Sequence, residues 1–178
     1  MRKVILAVLL FIFISPAFAA EQSDILLGLK WGDSEDTVHK KMQELNLALY
    51  DTEEIFNLDP ILLYRKKYTG EVSGISGSID AHFKNDQLVG LDTIYDCEKP
   101  VAKNILDDLT KALIEKHESP QKVLKHDFTH IEEKIWELES LNMRINLISM
   151  SSIHDNDLIM LTCTDLKFYY EINQIDKE

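Results

Sequence analysis

The chain has 178 residues, 31 of them acidic and 19 basic, for a formal net charge of −12. Such an excess repels phosphate backbones and anionic lipid headgroups, so nucleic acid and membrane surfaces are excluded as expected partners. Only two cysteines occur, too few for a thiolate metal cluster or a disulfide-dense scaffold.

Met1-Arg2-Lys3 precede an apolar run from Val4 to Ile14, and Ser15-Pro16-Ala17-Phe18-Ala19-Ala20 follow. A basic start, an apolar stretch and a small-residue site are the signature of a secretory signal peptide. Ala17 and Ala19 supply the small side chains the peptidase needs, which places the cut after Ala19. The eleven-residue run is well short of the roughly 20 residues that span a bilayer. The expected product, residues 20–178, is 159 residues long with 17 basic residues against 31 acidic, a net charge of −14. It is expected in the periplasm or outside the cell as a single domain with no membrane insertion.

Asp24 to Trp31 reads as a short strand that turns at Gly32. A helix is predicted to follow at once, with Asp33 or Ser34 as its cap and Glu35 and Asp36 at the positive end of its dipole. Val38, Met42 and Leu45 form its apolar stripe. Leu47 to Pro60 has no readable period, Ile61 to Tyr68 is strand-like, and Glu71 to Ser78 is a Gly/Ser-rich turn. Ser78 to Phe83 and Leu88 to Tyr95 flank Lys84-Asn85-Asp86-Gln87 as a hairpin. Val89, Leu91, Tyr95 and Cys97 share one face by the two-residue period, so Cys97 points with the apolar side.

Pro100 suits a helix start. Val101, Ile105, Leu109, Ala112 and Leu113 make the second apolar stripe, and the helix stops near Ser119-Pro120. Ile131 to Leu138, Met143 to Met150 and Leu158 to Cys163 are strand-like, with Ile159, Leu161 and Cys163 on one face. Leu166 to Ile172 fits a strand and a short helix equally. Runs of strands separated by single helices predict an α+β fold, an antiparallel sheet with helices packed on one face. The helix-then-meander pattern occurs at about 33–96 and 99–164, a possible tandem repeat.

Leu27-Gly28-Leu29-Lys30-Trp31-Gly32-Asp33-Ser34 leading into a helix, and Glu118-Ser119-Pro120 leading into strands that contain Trp136 and Ile145, carry a resemblance. The chain resembles small bacterial envelope α+β binding proteins, the outer-membrane assembly lipoproteins and the β-lactamase-inhibitor-like fold. The resemblance implies that fold and a non-enzymatic binding role, and it assigns no functional residue. The chain departs from the lipoproteins in having no cysteine at the cleavage point.

The two cysteines, Cys97 and Cys163, are 66 positions apart without CxxC spacing. An even count in an exported chain predicts one disulfide, the alternative being two buried thiols. Ser73, Ser76 and Ser78 lie among glycines outside any G-x-S-x-G elbow. Ser119-Pro120-Gln121-Lys122 matches S-x-x-K without its companion motifs. His126 and His130, four positions apart, stand about 13 Å apart on an extended segment and cannot share an ion. Asp155-Asn156-Asp157 lacks the glycine and closing glutamate of a calcium loop. Glu53-Glu54, Asp107-Asp108 and Glu132-Glu133 are neighbours in sequence, which does not place two carboxyls across a cleft.

No metal and no cofactor is therefore expected. The sequence favours a non-enzymatic binding module, an inhibitor or immunity-type protein for a cationic protein partner. The alternative is a small periplasmic hydrolase whose residues converge only in three dimensions. Adjacent Tyr169 and Tyr170 are the aromatic candidates for partner contact.

Overall fold

The computed structural model describes residues 26–58, 61–72, 74–126, 130–152 and 155–173. The expected signal peptide at 1–19 and the serine at position 73 lie outside them. The fold is α+β: the described residues form eight strands and three α-helices, with antiparallel strand pairing. The chain divides into two compact units, Met1–Leu91 and Asp92–Glu178.

In the first unit helix α1 (Glu35–Glu44) precedes β1 (Ala48–Leu58), β2 (Ile61–Val72), β3 (Ile75–Lys84) and β4 (Gln87–Glu98), whose last residues enter the second unit. The strands lie in the order β1-β2-β3-β4. Ser34 caps α1 by accepting from the Thr37 amide at 3.4 Å, and Val38 and Met42 are its buried face. The helix lies on one side of β2. Its Glu35 and His39 reach Tyr64, Lys66 and Tyr68, which alternate along that strand.

In the second unit α2 (Lys99–His117) precedes β5 (Lys122–His126), β6 (Ile131–Leu138), β7 (Met143–Ser151) and β8 (Asn156–Asp165). Here the order is β8-β7-β6-β5, and α3 (Leu166–Ile172) ends the described chain. Pro100 occupies the first turn of α2, and Ala102, Ile105, Leu109 and Leu113 are buried. Trp136, fully buried, donates its indole N–H to the Glu118 carbonyl at 3.1 Å, and Lys134 donates to Thr110 at 3.2 Å. Residues 134 and 136 of β6 therefore face α2, and residues 133, 135 and 137 face away.

Several sequence expectations change. The strand expected at 24–31 is a series of turns over the described residues, because Leu27, Gly28 and Gly32 have φ of 60°, 77° and 85°. That left-handed backbone cannot continue a strand. Leu26, Leu29 and Trp31 are nevertheless buried. The Gly/Ser-rich stretch from Glu71 to Ser78 is mostly strand, with Val72 opposite Ile75. The segment without a readable period is β1, and its register against β2 skips Tyr50 and Ile55. Those two bulges break the alternation that would have marked it. β5 was not foreseen, Val101 is exposed, and the tail is a helix. The hairpin turn falls at Asn85-Asp86, both at positive φ.

Candidate functional site

Tyr169 and Tyr170 sit on α3, which begins where the Asp165 side chain accepts from the Phe168 amide at 2.8 Å. Leu166 is the buried foot of this helix, and the Asn173 side chain donates to the Tyr169 carbonyl at its other end. The two rings meet edge to face with centroids 5.8 Å apart, and both tyrosines are half-buried.

What fixes them is a polar ladder on β6 and β7. Glu137 and Arg144 are directly opposite in the register, and the guanidinium donates to the Glu137 carboxylate. The same carboxylate accepts from the Tyr170 hydroxyl at 3.3 Å. Arg144 lies 4.2 Å from the centroid of the Tyr169 ring. Its Nε donates to Asn146 at 3.1 Å, and the Asn146 amide donates to Glu133 at 2.8 Å. Glu133 and Glu137 are on the side of β6 that faces away from α2, so the ladder and the tyrosines belong to that face. Arg144 is only 8% exposed, a position a cation holds when its charge and its donors are both met. The result is an aromatic pair held in place by the ladder, with Arg144 against one ring and Glu137 bonded to the hydroxyl of the other. The sequence singled out the adjacent tyrosines but not Arg144 and Glu137, which hold them. The available signal was a lone arginine inside the apolar run Met143 to Met150.

A second network fastens α1 to β2. The Tyr64 hydroxyl lies 2.7 Å from Glu35 and 2.8 Å from Asp86, and its single proton serves the two carboxyls in turn. The Lys66 ammonium, bonded to Glu35, holds that carboxyl below the usual range despite its burial. Burial and the two acids push the Tyr64 phenol up, and burial raises Tyr68 to about 12. Neither phenol ionises near neutral pH, and both stay available as hydrogen-bonding groups that fasten α1 to β2.

On the other side of the same strands Arg65 bridges Glu53, at 2.8 Å from its Nε, and the buried Asp80, at 3.2 Å from its Nη1. This face of β2 is charged, whereas its α1 side packs Tyr64 on Phe83 with centroids 5.1 Å apart.

The expected Cys97–Cys163 bond is not formed; both residues are free thiols. The pairing of β4 with β8 explains why. Asn156 donates to Asp96 at 3.1 Å and the Lys99 amide donates to the Asp155 carbonyl at 3.1 Å, which ties the Cys97 end of β4 to the start of β8. Cys163 is seven positions beyond Asn156 on β8. At about 3.3 Å per residue that is roughly 20 Å, against the limit of about 7 Å between bridged Cα atoms. Both side chains share an inward parity, as expected, but at opposite ends of the strands. Burial pushes the Cys163 thiol up to about 12, and burial with Asp96 and Asp157 raises Cys97.

Among the described residues no group of three or more His, Cys, Asp or Glu side chains is placed to hold a metal ion. No helix among them is long and apolar enough to cross a membrane. His126 closes β5 opposite Ile131, and His130 precedes β6 with φ of 50°. Comparison with known proteins returns no matching family model, no matching curated relative and no matching solved structure.

Proposed function

We propose that the chain is an exported, non-enzymatic binding module for a cationic protein partner, released after removal of residues 1–19 and anchored to that partner by Tyr169 and Tyr170. The observation that carries this reading is the tyrosine pair itself, held by Arg144 and Glu137 on a protein of net charge −12. Fixed aromatic rings supply much of the energy of protein interfaces at small entropy cost. A strong negative field speeds encounter with basic surfaces and repels acidic ones. An inhibitor or immunity-type role is the form of binding that the resemblance to the β-lactamase-inhibitor-like fold suggests. The order of one helix and four strands, occurring twice, supports a tandem helix-plus-meander architecture.

The test is a pull-down of the processed protein from envelope extract, followed by binding kinetics with the purified partner. The retained protein should be basic. Association should slow markedly between low and physiological salt, where the screening length shortens to about 8 Å, while dissociation changes less. Tyr169→Ala and Tyr170→Ala should each speed dissociation by roughly tenfold or more. Tyr170→Phe, which keeps the ring and loses the bond to Glu137, should stay close to the parent protein. An acidic partner, or an association rate indifferent to salt, would mean that the charge serves solubility alone.

A further inference from the structure

The two outermost strands in the strand order are built differently. β5 is five residues long, Lys-Val-Leu-Lys-His, short and lysine-bearing in the way that blunts an edge against unwanted pairing. β1 has eleven residues, Ala-Leu-Tyr-Asp-Thr-Glu-Glu-Ile-Phe-Asn-Leu, with no lysine, arginine or proline. Among the described residues no strand is bonded to its outer edge, and residues 48–56 are all exposed. The bulges place Tyr50 and Ile55 out of register, 73% and 54% exposed. Between them Asp51, Thr52, Glu53 and Glu54 run in regular register with Lys67, Lys66, Arg65 and Tyr64 of β2.

We propose that the outer edge of β1 is a docking edge that accepts an extended, lysine- or arginine-bearing segment of a partner protein by strand addition. The proposal rests on the reading of a cationic partner above and gives that partner a second contact, by strand addition, besides Tyr169 and Tyr170. Main-chain bonding to an open edge supplies affinity without regard to side chains, and the side chains then select. Charge decides the occupant. A second copy of β1 would bring Asp51, Glu53 and Glu54 beside the same three acids, which destabilises cross-strand pairing in either direction. A basic segment meets them with opposite charge, as Arg65 of β2 already does from the inner side by bonding Glu53. Asp51 and Glu54 have no ion-pair partner among the described residues and are open to such pairing. Tyr50 and Ile55, at either end of the acidic stretch, offer apolar contact to the residues that alternate with the basic ones.

The probe is a peptide about eight residues long, within the usual span of a strand, in which lysine alternates with valine; its counterpart alternates glutamate with valine. Binding is read by hydrogen exchange on the intact chain. The lysine peptide should slow exchange of alternate amides within 48–58, and the glutamate peptide should not. Asp51→Lys with Glu54→Lys, both at exposed positions, should reverse that preference. Tyr50→Lys with Ile55→Lys should weaken the lysine peptide by roughly tenfold or more. Unchanged far-UV circular dichroism and Tm establish that each variant is folded. A lysine peptide that protects no β1 amide, or a charge reversal that leaves the preference unchanged, overturns the proposal. Natural-partner binding lost in Tyr169→Ala and untouched by the β1 charge reversal would also overturn it, while leaving the cationic-partner reading in place. Protection of β1 by the lysine peptide together with an acidic natural partner would overturn that reading and spare the edge.

Discussion

The Arg144 guanidinium lies over the Tyr169 ring, 4.2 Å from its centroid, while it is bonded to Glu137 across the β6–β7 pair. One buried cation thus joins two strands to the helix that carries both candidate anchors. Arg144→Ala should destabilise the protein by about 1–3 kcal/mol, because Glu137 loses its cation and Tyr169 its cover. Arg144→Lys should fall between, since an ammonium keeps the charge but not the planar fork. Urea unfolding of the three proteins checks the order, and equal stabilities would show that the ladder contributes nothing.

Trp136 is fully buried and caps the end of α2 through its bond to the Glu118 carbonyl. Trp136→Ala should cost about 3–5 kcal/mol by leaving a cavity. Trp136→Phe should cost about 1–2 kcal/mol, chiefly the lost bond to that carbonyl. A phenylalanine variant as unstable as the alanine one would show that shape outweighs the hydrogen bond at this site.

Thiol titration should find two free thiols per chain in the unfolded, unreduced protein, since Cys97 and Cys163 lie at opposite ends of their strands. In the folded protein Cys163, buried and raised to about 12, should stay unmodified while Cys97 reacts slowly. Finding no thiol in the unfolded chain would restore the disulfide and require β4 and β8 to pair differently.

His117, at the end of α2, has its imidazole lowered from 6.5 to about 4 by burial and by Lys116. Between those values the unfolded chain binds the extra proton, so stability rises with pH through this window and falls as the medium is acidified from 6.5 toward 4. Glu35, lowered by Lys66, acts in the same direction further down: its contribution is complete above the ordinary value of 4.5 and is lost as pH falls through the folded-state value. His117→Asn should flatten the upper part of the pH–stability curve, and Glu35→Gln the lower part. Denaturant midpoints measured at closely spaced pH would show it, and parallel curves for parent and variant would refute the assignment.

The two long helices, the Asn85-Asp86 hairpin and the strands at 131–138 and 143–151 were legible in the sequence because each is encoded within a few neighbouring residues. Val38 and Met42 of the first stripe, whose third member Leu45 instead caps the helix and is exposed, Pro100 at the start of α2 and the alternation through Ile159, Leu161 and Cys163 all record local geometry. The inward parity of both cysteines followed from the same two-residue period.

Pairing was not encoded that way. Whether Cys97 meets Cys163 depends on the register of β4 against β8, and a parity argument fixes the face of a strand without fixing the position along it. The edge character of β1 was hidden for a related reason, since bulges at Tyr50 and Ile55 erase the alternation and only the strand order leaves β1 outermost. Tyr169 and Tyr170 were visible as neighbours in the sequence. That they lie on a helix, with Arg144 and Glu137 holding them, was decided by contacts spanning 25 to 33 positions of chain. Local periodicity determines which elements exist and which side each buries; the strand partners of distant residues are chosen by the packing of the whole unit, which no short window of sequence contains.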